Sequence, residues 1–161
     1  AIDVGYGQLA WKMRSDSRVV CMERTNARYL NEQSLPEKVD WVVSDVSFIS
    51  VTKIFFAINT ILKERGQVIL LIKPQFEAGK ENVGKKGVVR DPSVHKKVIE
   101  DVLNKAEEQK LFVKDLNFSP VRGPEGNIEF LTWLTKEKPF VEFNWKTEVD
   151  NVVHNAQIGT E

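Results

Sequence analysis

Apolar residues in this chain come in blocks, and the period changes from block to block. Val68-Ile69-Leu70-Leu71-Ile72 is continuous, the pattern of a strand covered on both faces, and Gln67 precedes it. Upstream, Val51, Ile54, Phe55, Ile58, Ile61 and Leu62 recur with helical period. They predict a helix from about Ser50 to Lys63, with Ser50 as its N-cap and Gly66 just past its end. Val39 to Ser44 reads as a strand, and so does the β-branched run from Arg18 to Met22. Ala1 to Asp3 reads as a strand stub. Gly7 to Arg14 is a short helix candidate with Leu9, Ala10 and Met13 on one side. Pro74 to Arg90 is a long polar loop containing Gly79, Gly84 and Gly87. Loops of that length are usually functional or disordered. Asp91-Pro92 then starts a helix striped by Val94, Val98, Ile99, Val102, Leu103 and Ala106. Leu111 to Phe118 and Ile128 to Thr135 are two further strands, joined by turn-rich Ser119 to Gly126. From Lys136 onward the pattern weakens, with a faint helical signal over residues 146–155.

This order of elements predicts a doubly wound α/β sheet, mostly parallel, closing on an antiparallel hairpin. All five longer strands are expected in that sheet, the last one reversed. No segment reads as a central first strand leading into a glycine-rich turn. The sheet is therefore expected to be N-terminally incomplete, a piece of a longer protein, since such a sheet would expose apolar edges.

Composition narrows the class. The chain has 161 residues, 42% apolar and 29% charged, which fits one soluble globular domain. Its net charge of +0 gives no general attraction to nucleic acid, so any such contact must come from a local patch. No apolar run approaches the roughly 18 residues of a membrane span, and no leader peptide is visible. Cys21 stands alone in an apolar context, so a buried core thiol is expected and a reducing cytoplasm fits.

Three ionisable residues sit at strand edges. Asp45 closes Trp41 to Ser44, Lys73 closes Val68 to Ile72, and Glu129 opens the final strand. Ligands of open α/β sheets bind outside the carboxyl ends of parallel strands. An acid, a base and a second acid brought together there would form a catalytic trio. The bland alternatives are a helix-capping Asp, a snorkelling Lys and a solvated edge Glu. Asp3 ends the strand stub, where a carboxylate can accept two ribose hydroxyls, or it is an ordinary turn acid. Asn26 reaches an adenine edge or serves a turn. His95 and His154 lack partners at metal-ligand spacing and are expected on the surface, with no metal site.

Six segments together carry a family resemblance: Asp3-Val4-Gly5-Tyr6-Gly7-Gln8-Leu9-Ala10-Trp11-Lys12, Glu23 to Arg28, Asp45-Val46-Ser47-Phe48-Ile49-Ser50, Lys73-Pro74-Gln75-Phe76-Glu77-Ala78-Gly79, Gly87 to Pro92, and Gly123 to Phe130. Over about residues 1–135 the chain resembles the haemolysin A (TlyA) family of ribosomal RNA 2′-O-methyltransferases, relatives of the FtsJ type. The resemblance implies a methyltransferase sheet of six parallel strands and one reversed, with S-adenosyl-L-methionine as cofactor. It implies a partial methyltransferase domain over residues 1–138 and a C-terminal extension over 139–161. It makes Asp45, Lys73 and Glu129 catalytic, and places Asp3, Val4, Thr25, Asn26, Ala27, Asp45 and Val46 around the cofactor. Lys80, Lys85, Lys86 and Arg90 would hold RNA phosphates, and Phe76 either stacks on a base or packs in the core. The partner implied is ribosomal RNA or a ribosomal subunit. An S4-type RNA-binding domain, a further catalytic lysine and the glycine-rich cofactor loop are expected upstream. Lys73 then acts as a base on the acceptor hydroxyl or as a cation beside the developing alkoxide. A methyltransferase for base nitrogens or protein is a rival, but it often carries prolines where Val46-Ser47 stands here. A non-catalytic RNA-binding or haemolysin-like protein is the other alternative.

Overall fold

The computed structural model describes residues 1–159. Four strands form one open sheet in the order β1-β2-β4-β3. They are β1 (Val39–Ser44), β2 (Leu62–Ile72), β3 (Phe112–Phe118) and β4 (Phe130–Thr135). β1 and β2 are parallel, with Val42 beside Val68 and Ser44 beside Leu70. β4 is antiparallel to both of its neighbours, and Phe130 pairs with Ile72 on one side and Phe118 on the other. The reversed final strand is the one the hairpin pattern predicts. β2 begins earlier than its apolar run, because Leu62 already pairs with Val39 before the register jumps to Trp41 and Gln67. Gly66 closes that irregularity: a Cβ there would lie 2.3 Å from Leu62 Cγ.

The helices are α1 (Trp11–Arg14), α2 (Phe55–Ile61), α3 (Pro74–Glu77), α4 (Pro92–Glu108) and α5 (Trp145–Ile158). A 3₁₀ turn over Val51–Ile54 leads into α2, capped by Ser50 Oγ, which accepts from the Thr52 N–H at 3.2 Å. Asp91 caps α4 by accepting from the Ser93 N–H at 2.8 Å, and Pro92 occupies the first position. One face of the sheet carries the core. Val68, Leu70, Ile72, Phe130 and Leu134 meet Phe55 and Ile58 of α2, Ile99 and Leu103 of α4, and Val149 and Ala156 of α5. Each large side chain so buried contributes about 1.5–3 kcal/mol of transfer free energy. On the opposite face Trp41 and Trp133 stack with ring centres 6.2 Å apart. Lys114 Nζ lies 4.0 Å from the Trp133 ring centre.

Four expectations need correction. Arg18 to Met22 is not a strand of the sheet. It meets the Ala1–Asp3 stub through a single parallel bridge, Ile2 to Met22, with the Met22 N–H donating to the Ala1 carbonyl at 2.8 Å. A β-branched run needs a neighbouring ladder, and this pair has only itself. For the same reason Cys21 is half-buried rather than in the core. The helix expected over Gly7–Arg14 shrinks to α1, none of whose residues is buried, so no packing supports a longer one.

The fourth concerns His95, which is fully buried rather than on the surface. α5 covers it from the far end of the chain. His95 Nε2 faces the Val89 carbonyl at 3.0 Å, so Nε2 carries the proton and Nδ1 accepts from Gln157 Nε2 at 3.2 Å. Burial pushes the imidazole below its ordinary range; the Val89 carbonyl and Asp91 oppose this shift and Arg122 adds to it. Below about pH 6.5 the unfolded chain takes up a proton that the folded chain refuses. Stability therefore falls as the pH drops through that value toward the lower folded one, by up to about 1.4 kcal/mol per pH unit. Urea unfolding from about pH 7.5 to about pH 5.5 checks this. His95→Gln should flatten the curve over that window, and parallel curves for the two proteins would refute it.

Candidate active site

β1 and β2 are parallel, so their carboxyl ends lie at one edge of the sheet, and β4 enters at that same edge because it is reversed. The loop after β1 carries Asp45, β2 runs directly into Lys73, and Glu129 precedes β4. The last paired residues of β2 and β4 are Ile72 and Phe130, so Lys73 and Glu129 stand one step beyond them, opposite each other. The three residues predicted from separate strand ends thus meet at one place.

Lys73 Nζ is 2.5 Å from Asp45 Oδ1 and donates to Ser47 Oγ at 2.9 Å. The lysine side chain is 11% exposed and the Asp45 side chain 68%, so the ammonium is sheltered while its counter-ion opens to solvent. Glu129 is buried, and its carboxylate turns aside to accept from Gln75 Nε2 at 2.7 Å. A Cβ on Gly123 would lie 2.3 Å from Glu129 Oε1, so the absence of a side chain at 123 makes room for this carboxylate. Pro74 follows Lys73 and starts α3, which sets Gln75 and Glu77 at fixed distances from the lysine. Glu77 accepts from the Val51 N–H at 2.7 Å and so ties α3 to the turn before α2. Burial pushes its carboxyl above the usual range, against the hydrogen bonds from Ser50 and the Val51 N–H.

Phe48 projects from the Asp45 loop with 87% exposure and a φ of 65°, a backbone conformation costly for a bulky residue. Its ring lies 5.1 Å from that of Phe76, which is half-buried. Strain of this kind concentrates at ligand sites. Ser47, Phe48 and Gln75 lie inside the quoted motifs, yet sequence reasoning gave them no role. Their signal was proximity alone, two or three residues from an ionisable strand end.

Ala27, Asp45 and Val46 line one cleft of about 740 Å³, with Ile2, Met22 and Val39. Val4, which is exposed, lies nearby in sequence to Asp3, whose carboxylate accepts from the Gly5 N–H at 2.6 Å. The Thr25 N–H donates to the Asp3 carbonyl at 3.0 Å, which joins the two segments. Asn26 Oδ1 accepts from the Arg28 N–H at 3.1 Å, a turn role that leaves its amide nitrogen for another partner. In the long loop, Lys85, Lys86 and Arg90 share a second concavity with Gly84, of about 490 Å³, while Lys80 lies outside it. Lys86 Nζ is 3.9 Å from a Glu125 carboxylate oxygen. The loop is fixed from below by Asn127, which accepts from the Val89 N–H at 3.1 Å and donates to the Gly87 carbonyl at 2.9 Å. Among the described residues no group of His, Cys, Asp and Glu is placed to hold a metal ion, and no helix is long and apolar enough to cross a membrane.

An acid–lysine pair at the carboxyl edge of a mixed sheet, facing a buried glutamate across a reversed last strand, is a specific arrangement. The FtsJ-like methyltransferase family matches residues 1–136. The chain belongs to that family. It is 48% identical over 135 residues to a Bacillus subtilis protein described as a candidate rRNA methyltransferase, YqxC, covering 83% of this chain and 48% of that one. It is 44% identical over 134 residues to the Mycobacterium tuberculosis 16S/23S rRNA (cytidine-2′-O)-methyltransferase TlyA, covering 83% and 50%. A solved Streptococcus thermophilus protein described as a possible hemolysin superposes with a TM-score of 0.92 at 43% identity, over 98% of this chain and 57% of that one. The chain spans about half the length of the curated relatives it matches. The mixed, open sheet is that of an S-adenosylmethionine-dependent methyltransferase.

Proposed function

We propose that the protein containing this chain transfers a methyl group from S-adenosyl-L-methionine to a ribose 2′-hydroxyl of ribosomal RNA in the cytoplasm. The observation that carries this reading is the Lys73 ammonium held between Asp45 and Ser47, one register step from Glu129. The cleft beside Asp45 supports the cofactor assignment: its volume suits a nucleoside-sized ligand, and its wall is apolar with one carboxylate. Ala27, Asp45 and Val46 would hold the cofactor there, with Asp3, Val4, Thr25 and Asn26 serving its nucleoside. When bound, it supplies an electrophilic methyl group and a good leaving group.

The chain's own residues supply position and proton handling. Asp45 and Ser47 fix the direction of Lys73 Nζ, which costs less at the moment of reaction than orienting a free side chain. Lys73 holds the acceptor oxygen and either takes its proton or offsets the charge that develops on it. Glu129, opposite, orients the ribose. Phe48 and Phe76 offer ring faces beside this point, and Lys80, Lys85, Lys86 and Arg90 hold backbone phosphates. Such phosphate contacts weaken binding as salt rises.

The test is incubation of the whole protein and methyl-labelled cofactor with ribosomal subunits, followed by nuclease mapping. Label at one ribose 2′-oxygen is expected. Label on a base nitrogen or on ribosomal protein would overturn the reading.

A further inference from the structure

We infer, resting on the methyl-transfer reading above, that Gln75 is a positioning residue: it fixes the Glu129 carboxylate and offers its own carbonyl oxygen to a hydroxyl of the incoming ribose. Glu129 is 5% exposed and takes a 2.7 Å hydrogen bond from Gln75 Nε2. That bond sets the amide the right way round, since the opposite orientation would bring two acceptor oxygens together. The end left over is Gln75 Oε1, which is buried and has no hydrogen-bond partner. Buried carbonyl oxygens without a donor are uncommon and carry a desolvation penalty. Lys73, two residues away, does not relieve it, because its ammonium is engaged by Asp45 and Ser47. A donor that arrives with the substrate does, and a ribose supplies an O–H. Gln75 would then connect the buried carboxylate to the acceptor sugar, while Pro74 keeps it a constant two residues from the lysine. Gly123 leaves Glu129 the room to reach Gln75.

The experiment compares Gln75→Leu and Gln75→Glu with the unaltered whole protein, by single-turnover methylation at saturating ribosomal RNA across a pH series. Gln75→Leu removes donor and acceptor together. Its transfer rate should fall about 10²-fold at every pH, while affinity for cofactor and RNA changes little. Gln75→Glu places two carboxyls in contact, which must share a proton to keep the bond. Its rate should approach that of the unaltered protein at low pH and decline as the shared proton is lost. A near-normal Gln75→Leu rate, or profiles of the two variants that run parallel, would overturn the inference. A second measurement is independent of turnover: proton exchange of the Gln75 side-chain amide by NMR. Slow exchange that becomes fast in Glu129→Ala supports the link. Exchange as fast as that of an exposed glutamine overturns it. If the amide is protected but the unaltered protein methylates no RNA, the functional reading fails and the Gln75–Glu129 link stands.

Discussion

Replacing Lys73 with alanine lowers the single-turnover rate of methyl transfer about 10²–10⁴-fold, the usual loss for a group that handles the transferred proton. Cofactor affinity stays close to its original value. The expectation follows from where the side chain is spent. Its ammonium is fixed by Asp45 and Ser47 at the sheet edge, while the cleft lined by Ala27 and Val46 extends away along β1. The substitution leaves Asp45 without its cation, but that carboxylate is largely exposed and water solvates it, so the fold is spared. Rapid-quench methylation at saturating RNA, run beside a calorimetric cofactor titration, separates the two effects. Near-normal turnover at saturation would move Lys73 from the chemistry to RNA docking.

Asn127→Leu lowers the stability of the fold by about 2–4 kcal/mol, with the orphaned groups carrying most of the loss. Asn127 is 2% exposed and serves three backbone groups: the Val89 N–H, the Gly87 carbonyl and, at 3.0 Å, the Pro124 carbonyl. Leucine fills similar space and offers none of these contacts. Gly87 and Pro124 are exposed, and water replaces their partner, but Val89 is buried and its N–H is left unpaired. Urea unfolding reads the loss as a lower midpoint at unchanged slope. The basic loop is released as well, so RNA affinity should fall and depend less steeply on salt. A midpoint within error of the unaltered protein would show that the loop holds its shape without Asn127.

Much of this was legible in the residues. Asp45, Lys73 and Glu129 could be placed at one edge because strand ends are marked by a switch from apolar to ionisable residues, and topology then forces the ends together. The caps at Ser50 and Asp91 were legible for a similar reason, since local hydrogen bonding decides them. Failures came where a distant partner decides. His95 follows a helix cap and looks exposed, yet Gln157, 62 residues on, covers it. Val19 and Val20 favour an extended chain, but no ladder receives them. In α5 the apolar set Trp145, Val149, Val152, Val153 and Ala156 does keep helical spacing, but Lys, Asp and Asn residues dilute it. The orientation of Glu129 toward Gln75 depends on empty space at Gly123, which no pattern of residue types announces.

The strand order also bears on how the molecule is made. β4 is the last strand to leave the ribosome, yet it belongs between β2 and β3, which are already synthesised. Until it arrives, the facing edges of β2 and β3 are bare, and Lys73 has no glutamate opposite it. Pairing across such separations is slow, because the loop entropy is lost before the ladder forms. A chain stalled before Phe130 would hold the lysine and its aspartate without the strand that faces them. Completion of the sheet and completion of the site are therefore one event, and a partly made protein cannot acquire activity ahead of its fold.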